Sequence, residues 1–322
     1  MLNDPILINE WHVVALAEHL PPDKPLGVRL LDEDIVVWRV GDQILAWQDL
    51  CVHRGTKLSL GKIGADDTLT CPYHGWVYNT QGRCVLLPAH PDQTPPERAR
   101  VKSYRAVERY GWIWVSLGDP QHDIPEFREW DDQSFRKIWC GPYHFHAAAP
   151  RVIENFLDVA HFPFVHEGYL GDPQHTEMTD YEAVISEDGI TSENIQVWQP
   201  DPDGTGIGKH VAYTYRVLRP LNAYFIKQHQ QQFSIFFAVT PIAELESEGW
   251  MWMNMNYGYD IPEADLRNFQ DVVSRQDIPI VESQRPERLP LDLQTELHLK
   301  SDRTAIAYRR WLRQLGVTIG TG

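Results

Sequence analysis

Two short stretches carry residue types that do chemistry: Cys51-Val-His53 and Cys71-Pro-Tyr-His74. Each joins one thiol to one imidazole, and seventeen residues separate the two pairs. Two cysteines with two histidines make a common structural zinc set, but zinc fingers usually place the cysteines in one pair and the histidines in the other. Mixed pairs suit a [2Fe–2S] cluster in which two thiolates hold one iron and two imidazoles hold the other. Two neighbouring β-hairpin loops, each offering one ligand of each kind, would meet such a cluster from either side. Gly55 and Gly75 follow the pairs and let the backbone turn close to sulfurs that seek N–H donors. Pro72 stiffens the second loop, while Cys84 and Cys140 read as small buried thiols.

A second constellation lies in NFLDVAHFPFVH, with Asn155, Asp158, His161 and His166. Histidines five apart on an unbroken helix point roughly 140° away from each other, which is poor for chelating one ion. Pro163 cannot sit in a regular helix interior, and a break there lets His166 swing back toward His161. Two histidines, one carboxylate and open positions make a non-haem Fe(II) site. Three acids compete for the carboxylate: Asp158, Glu154 and the late Asp277 of SRQDIPIVESQ, with Glu282 close behind the last. His144 and His146 alternate as on a strand but lack a third ligand nearby, so they read as structural.

The elements that must hold these residues follow from hydrophobic patterning. Between residues 34 and 118 short β-type runs (DIVVWRV, QILAWQD, YGWIWVSLG) alternate with turn signals, which predicts a small antiparallel β domain over residues 1–120. Residues 121–322 read as a second, α+β domain. A helix opens at Pro150, strand-like runs follow (YEAVI, HVAYTYRVL, QFSIFFAVT, GWMWMNMNY), and helices are expected near 262–277 and 302–315. Phe236, Trp252, Met255 and Tyr257 fill the core or line a pocket there.

Composition narrows the setting. A chain of 322 residues builds a proper core without a metal or disulfide to help it fold. Four cysteines and no basic-flanked apolar leader predict a reducing, cytoplasmic location. No apolar run approaches the roughly 20 residues of a membrane helix. With 45 acidic against 29 basic residues the net charge is −16, which argues against nucleic acid as a partner. The segment from Cys51 to Arg109 departs from this, with nine basic residues against five acidic ones. Such a patch would steer an acidic electron donor.

CVHRGTKLSLG and CPYHGWVYNTQGRC resemble the cluster-binding motif of the Rieske non-haem iron oxygenases, in their terminal-oxygenase (α) subunit. A Rieske ferredoxin, the non-catalytic alternative, would lack the second motif. The resemblance implies that Cys51, His53, Cys71 and His74 bind the [2Fe–2S] cluster, that His161, His166 and Asp277 bind Fe(II), and that Asp158 bridges a cluster ligand and an iron ligand. It implies a head-to-tail homotrimer, a ferredoxin or NAD(P)H-dependent reductase as donor, and a small-molecule substrate with O₂. The implied reaction is RH + O₂ + 2 e⁻ + 2 H⁺ → ROH + H₂O, ending in dealkylation where the hydroxylated carbon is bonded to nitrogen or oxygen. Within the family the chain looks most similar to the cyanobacterial hydroxylases of saxitoxin-type alkaloids. A cis-dihydroxylating aromatic dioxygenase would share every ligand.

Overall fold

The computed structural model describes residues 2–202, 205–228 and 231–322. It divides into two compact units, Met1–Asp123 and Ile124–Gly322.

The first unit is almost entirely β. Its strands are β1 (His12–Leu16), β2 (Leu26–Leu30), β3 (Glu33–Val40), β4 (Gln43–Gln48), β5 (Lys62–Ile63), β6 (Leu69–Thr70), β7 (Val77–Tyr78), β8 (Cys84–Leu86), β9 (Ser103–Arg109) and β10 (Trp112–Ser116), preceded by a one-turn helix α1 (Pro5–Ile8). Six of them form an antiparallel sheet in the order β1-β10-β9-β4-β3-β2, and β5-β6-β7-β8 form a smaller sheet. The three β-type runs of the sequence become β3, β4 and β10, but Ile35–Trp38 and Trp112–Ser116 are buried without alternation. Trp38 packs edge-on against Trp47 at 5.1 Å, and this pair shares one core cluster with Cys51, Cys71, Tyr78 and Cys84. The cysteine loops therefore grow directly out of packed hydrophobic core, which fixes their backbones.

One buried group in this unit has a pH signature. His12 is fully enclosed, with Nε2 2.7 Å from the Leu7 carbonyl, and desolvation lowers its pKa to about 4 despite that hydrogen bond and the charge of Asp4. The unfolded chain takes up this proton near pH 6.5 and the folded one does not. Its contribution is therefore fully present above pH 6.5 and is lost as pH falls toward 4, by up to ~3 kcal/mol. Thermal melts of wild type and His12→Gln between pH 7 and 4.5 are expected to converge as the pH falls, because only the wild type carries this slope.

The second unit is built on one seven-stranded antiparallel sheet. Its strands are β11 (Arg136–Phe145), β12 (Ala183–Ser186), β13 (Gly189–Gln199), β14 (Lys209–Arg219), β15 (Asn222–Gln228), β16 (Phe233–Ala243) and β17 (Glu246–Met255), in the order β11-β17-β16-β15-β14-β13-β12. Four helices accompany it: α2 (Ala149–Leu157), α3 (Phe162–Val165), α4 (Glu263–Ser283) and α5 (Arg303–Leu315). No described helix is long and apolar enough to cross a membrane.

Alternation decides which residues of this sheet face the helices. Met251, Met253 and Met255 of β17, Phe233, Ile235 and Phe237 of β16, Phe225 of β15, and Tyr213 and Tyr215 of β14 share the inner face. Phe236 and Trp252 are cross-strand partners on the outer face, where Phe236 stacks on Phe127 and Trp252 meets Trp130 edge-on. Of the four pocket candidates, Met255 and Tyr257 line the cavity, and Phe236 and Trp252 do not.

A buried ion network ties α2 to α5. Arg309 contacts both oxygens of Glu154, at 2.5 and 2.7 Å, and reaches Glu296, which also pairs with Arg151 at 2.8 Å. Glu154 is thereby committed to arginines, which removes it from the contest for a metal. Glu282 accepts a hydrogen bond from the His146 amide at 2.8 Å and is likewise engaged.

Candidate active site

The two cysteine loops of the first unit repeat one hydrogen-bond pattern. Cys51 N–H donates to the Thr56 carbonyl and Cys71 N–H to the Trp76 carbonyl, both at 2.8 Å. Gly55 N–H closes on the Cys51 carbonyl at 2.8 Å, and Gly75 N–H on the Cys71 carbonyl at 3.1 Å. Both glycines sit in the left-handed region, φ +68 and +69, where a Cβ is disfavoured. Two equivalent turns thus present one thiol and one imidazole each.

These four side chains are brought together. Burial pushes the Cys71 thiol up, and Cys51, within hydrogen-bonding reach, adds to the shift. The rings of His53 and His74 lie 4.5 Å apart. Trp76 stacks flat on His53 at 4.4 Å, leaving His53 Nδ1 buried with no hydrogen-bond partner. Such an orphan is costly unless a ligand occupies it. A [2Fe–2S] cluster fits this donor set of two buried thiols and two imidazoles, one with an unused buried nitrogen. Tyr78 Oη lies 3.2 Å from Cys51 Sγ.

The second constellation forms differently from the sequence expectation. Helix α2 ends at Leu157, with Asp158 as its extended C-cap, and Pro163 opens the next helix in its first turn instead of breaking one. The chain has already turned before His161. His161 and His166 then flank the single turn of α3, and their Nε2 atoms come within 3.1 Å of each other.

Helix α4 supplies the third group. Asp277 Oδ1 lies 3.4 Å from His161 Nε2 and 3.2 Å from His166 Nε2. Among the described residues these three are the one such group of potential metal ligands, with one donor atom of each within 4.8 Å of the others. His166 Nδ1 lies 2.8 Å from Gln276 Oε1. That amide oxygen can only accept, so Nδ1 carries the proton and Nε2 presents its lone pair to the site. Asn155 Nδ2 donates to Asp277 Oδ1 at 3.4 Å. Asp158 stands behind, Oδ2 3.4 Å from His161 Nδ1 and Oδ1 accepting from the Ala160 amide at 2.7 Å. Sequence reasoning named Asn155 in the motif without giving it a role, and missed Gln276, whose signal was adjacency to Asp277.

The triad opens into a cavity of about 510 Å³ walled by the inner face of the sheet and by Phe156, Phe162, Leu266, Phe269 and Val273. Phe156 stacks on Phe237 at 4.7 Å, with Tyr215 and Phe225 within 6 Å. The cavity suits a flat, largely apolar molecule presented to an ion held by two imidazoles and one carboxylate.

The chain matches the Rieske [2Fe-2S] domain over residues 10–105 and the vanillate O-demethylase oxygenase C-terminal domain over residues 145–318. It belongs to the Rieske oxygenases. This oxygenase is 34% identical over 319 residues to the methylxanthine N1-demethylase NdmA of Pseudomonas putida, covering 95% of the chain and 88% of that relative. It is 30% identical to the methylxanthine N3-demethylase NdmB of the same organism, covering 92% and 85%. The structure of the Pseudomonas putida NdmA with caffeine superimposes with a TM-score of 0.84 at 31% identity, covering 96% of this chain and 91% of that one. The oxygenase uses a [2Fe–2S] cluster and a mononuclear non-haem iron, as its family does, to hydroxylate or oxidatively dealkylate small organic molecules.

The basic segment is reduced in the folded protein. Lys57 pairs with Asp34 at 3.0 Å, Arg105 with Asp119 at 2.6 Å and Arg109 with Asp123 at 2.8 Å, all acids from outside the segment. Arg54, Arg83, Arg98 and Arg100 remain exposed without an ion pair among the described residues. Arg83 and Arg100 sit opposite each other in an antiparallel bridge.

Proposed function

We propose that this enzyme N-demethylates a planar, nitrogen-containing ring compound, with Cys51, His53, Cys71 and His74 holding the cluster, His161, His166 and Asp277 holding the iron, and Asp158 linking the two centres. The observation that carries the reading is the aromatic and thioether cavity opening on the three convergent ligands, in a chain similar along most of its length to N-demethylases. When bound, the cluster supplies single electrons and the iron binds and activates O₂ at its open positions.

The chain's own residues do the rest. Gln276 fixes the His166 tautomer, and Asp277 brings the one negative charge that retains a divalent ion. The rings around Phe156 exclude water and lay a flat substrate against the site. Hydroxylation of an N-methyl carbon gives an N–CH₂OH group, whose C–N bond breaks to release formaldehyde and the N–H product.

The division of labour at residue 120, the cytoplasmic location and the homotrimer belong to the same reading. Leu60 and Tyr73 are exposed beside the cluster loops, and Ile280 and Leu297 are exposed on the side of Asp158. Apolar rims of this kind suit burial between copies, and a head-to-tail ring of three closes such a heterologous interface. The donor is a ferredoxin or reductase of acidic surface, received by Arg54 beside His53 and by the other exposed arginines of the same segment.

With a reductase, NADH and caffeine, O₂ uptake is expected to track formaldehyde release one to one. O₂ uptake with a hydroxylated product and no formaldehyde would move the enzyme toward the saxitoxin-type hydroxylases, and a cis-diol toward the ring dioxygenases. No turnover of any N-methyl ring compound would overturn the reading.

Tyr78→Phe tests the cluster assignment. A hydroxyl donating to a ligand sulfur stabilises the reduced, more negative state, and burial keeps this phenol protonated. The variant is expected to show a lower reduction potential, by about 59 mV for a tenfold change in a one-electron couple, in a spectroscopic redox titration.

A further inference from the structure

Among the described residues the inner face of the sheet is largely apolar and aromatic, with Lys227, whose Nζ donates to the Pro202 carbonyl at 2.7 Å, and one buried polar pair as exceptions. Gln199, at the end of β13, is 2% exposed, and Tyr213 on β14 is 3% exposed. Both line the cavity, and Gln199 Nε2 donates to Tyr213 Oη at 3.0 Å. That bond uses one donor and one acceptor of a pair that owns three N–H or O–H donors and two acceptor oxygens. The phenol proton, the second Gln199 Nε2–H and the Gln199 carbonyl oxygen have no hydrogen-bond partner among the described residues and face the cavity. Turning the amide end for end exchanges the roles without changing the count: two donors and one acceptor remain for something in the cavity. On a wall that is otherwise largely Phe, Met and Ile, this pair offers a guest hydrogen bonds that its neighbours do not.

We propose that Gln199 and Tyr213 form a specificity-determining subsite whose free O–H and N–H donors bind a ring carbonyl of a planar ring substrate. Resting on the demethylation reading, this adds the polar feature by which one flat molecule is told from another. Tyr213 lies 6.3 Å from the Phe162 ring, which lies 5.7 Å from His166, so the pair stands one ring away from an iron ligand. A guest held by its carbonyl edge at this pair, and packed among the rings of Phe225 and Tyr215, presents its remaining edge toward the triad. The pair orients the substrate and takes no part in the bond changes.

The test compares two flat N-methyl bicycles, caffeine with ring carbonyls and 1-methylindole without. Binding is measured by anaerobic calorimetry on the metal-loaded enzyme and on Tyr213→Phe and Gln199→Leu, with melting temperatures confirming that each variant is folded. Wild type is expected to prefer caffeine. Each variant is expected to weaken caffeine about tenfold, as losing one hydrogen bond to a buried partner does, and to leave 1-methylindole unchanged. The double variant should be no worse than the single ones, because the two act as a unit. Equal weakening of both probes, or no change in either, makes the pair a structural brace and overturns the proposal. Wild type that binds caffeine with the predicted selectivity but releases no formaldehyde leaves the subsite standing and removes the demethylase reading. Wild type that binds neither probe overturns both.

Discussion

Asp277→Ala is expected to empty the mononuclear site of iron and abolish turnover while the absorption spectrum of the cluster stays as in wild type. Asp277 Oδ1 is the sole carboxylate oxygen in the group with the two Nε2 atoms, 3.2 and 3.4 Å away. Two neutral imidazoles hold Fe(II) weakly without an anionic partner. Loss of a group that merely orients a ligand already costs about 10–100-fold in metal affinity, and loss of the ligand itself should exceed that. The neighbouring acids offer no rescue, because Glu154 is held by Arg309 and Glu282 by the His146 amide. Metal analysis gives the answer directly: about two irons per chain in place of three, with the cluster pair retained. An undiminished iron content would remove Asp277 from the ligand set.

Asp158→Asn should behave in the opposite way. The amide keeps an oxygen able to accept from Ala160 N–H, so the turn that delivers His161 should survive. What disappears is the negative charge 3.4 Å from His161 Nδ1, a nitrogen that is buried and has no hydrogen-bond partner. The Asp158 side chain is 39% exposed, and its Oδ2 faces His161. Iron content is expected to remain near wild type while single-turnover product formation from the reduced enzyme falls by about 100-fold. Equal iron depletion in Asp158→Asn and Asp277→Ala would make Asp158 a structural support of the site and end its assignment as the link.

The contrast between these two acids shows what was legible in the sequence. Cys51, His53, Cys71 and His74 announce themselves because each loop carries its ligands within a few residues, so spacing and geometry are nearly the same thing. His161 and His166 are legible for the same reason, although the turn that aims them comes at Asp158 and Pro163 starts a helix instead of stopping one. Asp277 is far along the chain, on a different element, and spacing alone left three acids in contention; the resemblance to a known motif chose among them. Strands β3, β4, β10, β14, β16 and β17 stood out as apolar or aromatic runs, whereas β15, a short aromatic stretch behind Leu221, gave little signal.

Pocket residues were hardest to see, because they depend on which face of a strand is inward. Phe236 and Phe237 are chemically alike, yet one packs behind the sheet and the other lines the cavity. On β13 the parity even changes along the strand. An irregularity between Ser192 and Ile195, with Asn194 at φ +56, resets the alternation so that Ile195, Val197 and Gln199 turn inward. Composition carries no record of such a shift, so Gln199 looked like any polar strand residue until pairing with β14 fixed its side.

The three methionines of β17 bear on how long one molecule of the enzyme lasts. Met251, Met253 and Met255 place a row of thioethers along the same cavity into which His161, His166 and Asp277, the proposed iron ligands, open. Unbranched and polarizable, they adapt to guests of slightly different outline. They are also readily oxidised, and a sulfoxide is polar and chiral where the wall was soft and apolar. A guest that fits badly lets oxidant escape into its own pocket, and the groups that made the misfit tolerable are the ones exposed to it. Tolerance toward new substrates and wear of the active site are thus properties of the same three side chains.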